Sequence, residues 1–117
     1  MGARGERVIE TEAGEITILF TNQALAEAEQ RMNKGILGIL FNSQIGIGDV
    51  AHLLRAGMQA AYHDQGRRKE AVSLHDAYKI MDEVGFSEVF TAVTEAVKAV
   101  LNYQREQEEN GEPDPNP

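Results

Sequence analysis

Apolar residues recur along this chain with two different periods, and the change from one to the other organises it. Residues 7–20 predict a β-hairpin: RVIETE and EITILF carry β-branched and aromatic residues, with Ala13-Gly14 as the turn. Ile16, Ile18 and Phe20 share one face of the second run, while Thr17 and Leu19 point the other way. An isolated hairpin is marginal in water, so that apolar face needs a cover. The segments that follow have helical spacing and supply it.

Thr21 or Asn22 caps a helix expected to run to about Lys34, with Leu25, Ala28, Met32 and then Ile36 as its stripe and Gly35 as its left-handed stop. Next comes GILGILFNSQIGIGD, in which seven of fifteen residues are Ile, Leu or Phe. Four glycines interrupt it, and it falls short of the roughly 20 apolar residues that a membrane span needs. Within it, Leu37, Leu40 and Phe41 repeat the i, i+3, i+4 contact of a short helix, and residues 42–48 read as a loop.

A further helix begins at Gly48 or Asp49, with Val50, Leu53, Leu54, Gly57, Met58 and Ala61 inward, and ends near Gly66. Gly57 sits mid-stripe, where glycine lets a neighbouring helix approach closely. Ser73 and Asp76 form a capping pair for a helix using Leu74, Ala77, Tyr78, Met81 and Val84 and stopping at Gly85. Ser87 is the expected cap of the longest helix, whose stripe Phe86, Val89, Phe90, Val93, Val97, Val100, Leu101 and Gln104 runs to about residue 107. The expected fold is therefore mainly α, a single domain over residues 1–108 with an N-terminal hairpin packed on four to five helices. Residues 109–117, with three prolines and no apolar residue, read as a disordered acidic tail.

Composition narrows the function classes. The chain has 117 residues, enough for one domain with a real core. It has no cysteine, which excludes disulfides, thiolate metal sites and a cysteine nucleophile. The net charge of −8 argues against nucleic acid and anionic membranes as partners. Half of that excess lies in residues 105–117, where Glu106, Glu108, Glu109, Glu112 and Asp114 face Arg105 alone. No secretory signal and no myristoylation pattern is read at the N-terminus.

Candidate chemistry is sparse. Gly46-x-Gly48 lacks the third glycine and the Lys-Ser/Thr of a phosphate loop. His52 and His63 fall about 16 Å apart on one helix, beyond the reach of one ion, and His75 is remote in sequence. Glu27 and Glu29, two apart on a helix, diverge, which leaves Glu29 a structural role at the stripe's edge. Arg67-Arg68-Lys69 is a short basic run suited to a solvated loop. No catalytic, cofactor-binding or metal-binding residue emerges, and a non-enzymatic protein is expected. The run Ile36, Leu37, Ile39, Leu40 and Phe41 leaves two readings open, a core segment or an exposed partner-binding patch.

From about Ile16 to Leu101 the chain resembles the small tail-module proteins of phages and gene transfer agents. The likeness is carried by ITILF, LAEAEQRMNKG, ILGIL, GDVAHLLRAGM and a helix pair separated by EVGF. The resemblance implies a tail assembly chaperone that binds the tape measure protein, or other tail proteins, during virion morphogenesis in the cytoplasm of the bacterial host, without a cofactor and able to form a homo-oligomer. It also allows a structural tail subunit, tube or connector. A tube subunit is expected to be β-rich, so one hairpin among helices fits the chaperone better.

Overall fold

The computed structural model describes residues 5–42 and 44–111, except for the side chains of residues 40–42 and 102–111. It is mostly helical with an N-terminal two-stranded hairpin, the architecture expected from the sequence. Strand β1 (Glu6–Thr11) pairs antiparallel with β2 (Gly14–Leu19), and helices α1 (Asn22–Met32), α2 (Ile36–Asn42), α3 (Ile47–Asp64), α4 (Leu74–Val84) and α5 (Phe86–Gly111) follow. Helix α3 is the hub, in contact with β2, α1, α4 and α5.

The hairpin closes one residue earlier than expected. Thr11 pairs with Gly14, so Glu12 and Ala13 form the loop. Neither has a positive φ, and the turn is completed by Gly14 at φ 126°. Glycine therefore serves the strand just after the loop and not the loop itself. The Thr11 hydroxyl accepts from the Ala13 N–H at 3.1 Å and donates to the Gly14 carbonyl at 2.8 Å.

Period-2 alternation places Ile9 and Ile18 in the core, and Phe20 follows on the same side, 2% exposed. Leu19, expected on the opposite face, is buried as well. The inward face lies on α3 at Gly57. A Cβ there would stand 2.9 Å from Phe20 Cζ and 3.0 Å from Ile18 Cβ. The close approach read from Gly57 is therefore real, but its beneficiary is the hairpin and not a neighbouring helix.

Thr21 caps α1, its hydroxyl accepting from the Ala24 N–H at 3.1 Å. The left-handed residue that ends α1 is Asn33, at φ 59°, and not Gly35. Asparagine tolerates this conformation better than other side chains do, so the helix stops two residues before the glycine. The Ser73–Asp76 box is formed in both directions, at 3.1 and 3.0 Å. Helix α4 stops at Gly85, whose N–H donates to the Met81 carbonyl at 2.9 Å. Ser87 does not cap the last helix: α5 starts at Phe86, with the Gly85 carbonyl accepting from Val89.

Val89, Val93 and Val97 bury the stripe of α5 against α3 and the hairpin. Tyr78, expected in the α4 stripe, is 40% exposed, because Ala77 and Met81, with Leu74, Ile80 and Val84 beside them, complete that contact. Helix α5 extends to Gly111, past the expected end near residue 107, since Gln104 to Glu109 contain no breaker. Residues 112–117 of the expected tail lie outside the described residues.

The Gly57 contact generates a stability prediction. Gly57→Ala costs about 1–2 kcal/mol despite alanine's helix advantage of about 1 kcal/mol, because overpacking against Phe20 and Ile18 dominates. In urea denaturation the cost falls when Phe20→Leu is present first. A Gly57→Ala protein more stable than wild type contradicts the close-packing account.

Candidate functional site

Two surfaces stand out once the core is set aside: an apolar group near the α2–α3 junction and a polar seam between α1 and α3. The junction is built by local polar contacts. The Glu29 carboxylate, on the edge of α1, accepts from the Ile36 N–H at 2.8 Å and so satisfies the first amide of α2. Asp49, in the first turn of α3, accepts from the Gly46 N–H at 2.9 Å and from Lys34 Nζ at 3.1 Å. The Lys34–Asp49 ion pair thus ties the segment before α2 to the start of α3.

Burial pushes the Asp49 carboxyl upward, but the Gly46 amide, the Lys34 ammonium and the nearby His52 outweigh it and hold its pKa below the ordinary aspartate range. A depressed folded pKa means stability that is present above the ordinary aspartate value and lost as pH falls through the folded one.

The five residues of the apolar run take different places. Ile36 and Ile39 are each 4% exposed and belong to this chain's interior, whereas Leu37 is 55% exposed. The side chains of Leu40 and Phe41 lie outside the described residues. Among the described residues, the other large apolar side chains left exposed are Val8, Ile47, Tyr78 and Phe86. Phe86 stacks on Phe90, ring centroids 5.7 Å apart, at the start of α5. Leu37 and Ile47 sit three and two residues from the two members of the Lys34–Asp49 pair. The Tyr78 hydroxyl comes close to Gly48, the residue after Ile47: a Cβ there would be 3.7 Å from it.

The polar seam runs down the other part of the α1–α3 contact. Thr21, Glu27, Gln59, His63, Asp64 and Arg68 line an open cleft of about 460 Å³. Glu27 and Glu29 diverge, as their spacing requires, Glu27 to this cleft and Glu29 to the α2 cap. His63 is exposed, with Gln59 Nε2 at 3.4 Å. His75 is exposed, and His52 is half-buried. Among the described residues, no three His, Asp or Glu side chains are grouped as metal ligands. Arg67 stacks over Tyr62 at 4.4 Å and donates Nε–H to Glu70 at 2.7 Å, so the basic run is engaged with its own loop at that residue.

The residue that the sequence reading passed over is Arg55. It lies in the middle of α3 with 7% exposure, and Nη1 donates to the Val72 carbonyl at 3.3 Å. Its neighbours one turn away, Ala51 and Met58, are both buried, which is the signal that a charged residue there would be drawn inward. Gln59 holds the α3–α4 connection beside it, donating to the Glu70 carbonyl at 2.7 Å and accepting from the Val72 N–H at 2.9 Å.

No protein-family model, curated protein sequence or solved structure matches this chain.

Asp49→Asn lowers stability at pH 7 by about 1–2 kcal/mol, the loss expected when a charged acceptor of two hydrogen bonds becomes neutral. The deficit begins to shrink as the pH falls below the ordinary aspartate value of about 4, where the unfolded chain takes up a proton that the folded carboxylate resists, and it is gone only once the folded carboxylate is protonated as well. Urea melts of both proteins at pH 7 and pH 3 read this directly.

Proposed function

We propose that this protein is a tail assembly chaperone of the phage and gene transfer agent type, which binds the tape measure protein and performs no catalysis. The observation that supports it is that Leu37, Ile47 and Tyr78 are each left exposed on a domain whose interior is already closed without them. Exposed apolar side chains that cluster mark interaction sites. Two aliphatic side chains and a tyrosine, beside the Lys34–Asp49 pair, suit the apolar face of an amphipathic helix with polar residues at its margin. A tape measure protein offers long helices of that kind, and the acidic character of the chain keeps such a complex dispersed in the host cytoplasm.

A structural tail subunit is the competing reading, and the two-stranded sheet, in which each strand has one partner, is the feature that favours it. Formation of tubes by the purified protein would support that reading.

Co-expression with a tape measure protein encoded nearby raises the soluble fraction of that protein. Leu37→Asp together with Ile47→Asp abolishes the gain while leaving the chaperone folded, since substitutions at such exposed sites cost within about 0.5 kcal/mol each. Ile36→Asp behaves differently and unfolds the domain, because its charge is left buried and unpaired. A tape measure protein that is equally insoluble with and without this chain overturns the proposal.

A further inference from the structure

Arginine is rarely buried without a charged partner, because desolvating a guanidinium costs several kcal/mol unless hydrogen bonds or an anion compensate. Arg55 is buried and, among the described residues, has neither an ion pair nor a full set of hydrogen bonds. Among the described residues its one hydrogen bond is the 3.3 Å contact from Nη1 to the Val72 carbonyl, and Nε is buried with no partner there. The unpartnered donor is Nε–H, which lies on the guanidinium edge it shares with one Nη2–H. Two parallel N–H groups on that edge match the two oxygens of a carboxylate.

Three surroundings bear on what fills it. One turn earlier on α3, His52 Nδ1 is the other buried polar side-chain atom without a partner among the described residues. Burial first, and then the neighbouring Arg31 guanidinium, push the Arg55 pKa down, while Glu27 pulls it up. A second positive charge, Arg31 on α1, thus acts on Arg55 in a chain whose net charge is −8. Gln59 does not compete for the edge, since both ends of its amide are taken by Glu70 and Val72.

We propose that Arg55, flanked by Arg31 and His52, is a receptor for a single carboxylate group, of the kind an acidic side chain of a bound protein presents. The monoanion is favoured over a phosphate dianion because Glu27 stands close enough to Arg55 to influence its charge and would repel the second negative charge. The site is separate from the apolar group at Leu37, Ile47 and Tyr78, and it stands or falls without reference to the tape measure protein.

The test uses the full chain and acetate as the probe, at constant ionic strength set with chloride. Acetate raises the melting temperature saturably, by roughly 3–6 °C at about ten times its dissociation constant. It also shifts the Arg55 Nε–H resonance in a nitrogen-15 correlation spectrum of the wild-type protein, a readout that needs no variant. Arg55→Lys, which keeps the charge and loses the two-pronged edge, abolishes the thermal response. A blocked peptide carrying one glutamate shifts the same resonance at lower concentration than acetate does, and the glutamine version does not. An unmoved Arg55 resonance overturns the proposal, as does an equal response to acetate in Arg55→Lys. A response to phosphate with none to acetate overturns it too. If acetate acts only on Glu27→Gln, Glu27 itself fills the site and the receptor reading falls.

Discussion

The contact of β2 with α3 at Gly57 is the constraint on which the other packing decisions depend. A two-stranded sheet has too little area to hold itself together in water, so the hairpin is folded only while its apolar face is pressed on a helix. Phe20 and Ile18 come so near the α3 backbone that the Cβ of any other residue would stand about 3 Å from them. Glycine in mid-helix is unfavourable by about 1 kcal/mol, and the dense contact it permits offsets that cost. With β2 seated at this depth, Val50 and Leu54 on α3 and Val89, Val93 and Val97 on α5 close round the same centre. The termini of the hairpin are fixed from both ends: Phe20 N–H donates to the Gly5 carbonyl at 3.0 Å, and Glu12 N–H donates to Glu83 on α4 at 2.8 Å.

Much of this was legible in the sequence wherever a period or a cap speaks for itself. The alternation of Ile16, Ile18 and Phe20, the Thr21 cap, the Ser73–Asp76 box and the stop at Gly85 each follow from local rules, and each is found. The misplacements share a cause: local rules give the residue type that a position wants without saying which of two neighbours will take it. Gly14 was available for the turn but serves the strand after it, and Gly35 was available as a helix stop but Asn33 reached the left-handed conformation first. Gly57 announced a close approach, yet a helical stripe does not name its partner. Tyr78 has the spacing of a core residue, but Ala77 and Met81 fill that contact and leave the ring outside.

The candidate sites were less legible, for a different reason. Ile36, Leu37 and Ile39 look alike as a string, and only the path of the chain decides that two point inward and one outward. The short helix α2 is set at that angle by two polar contacts that no pattern of apolar residues encodes, Glu29 on the Ile36 amide and Lys34 on Asp49. Arg55 was hidden by its company. A single charge between Leu54 and Ala56 reads as the polar side of a helix, whereas α1 and the α3–α4 connection close over that side as well.

Charge along α3 is then unevenly satisfied, and the unevenness has a direction. At the start of the helix Asp49 is matched by Lys34 and by a backbone amide. Further along, Arg55 is buried under the influence of the Arg31 charge, and among the described residues no carboxylate is hydrogen-bonded to it. Ile47 and Arg55 are eight residues apart, which at 1.5 Å per residue is about 12 Å along the axis. At 3.6 residues per turn the two side chains also leave the helix about 80° apart, so the exposed apolar end at Ile47 and the buried cation at Arg55 belong to different faces of α3, one open and one covered by α1 and the α3–α4 connection.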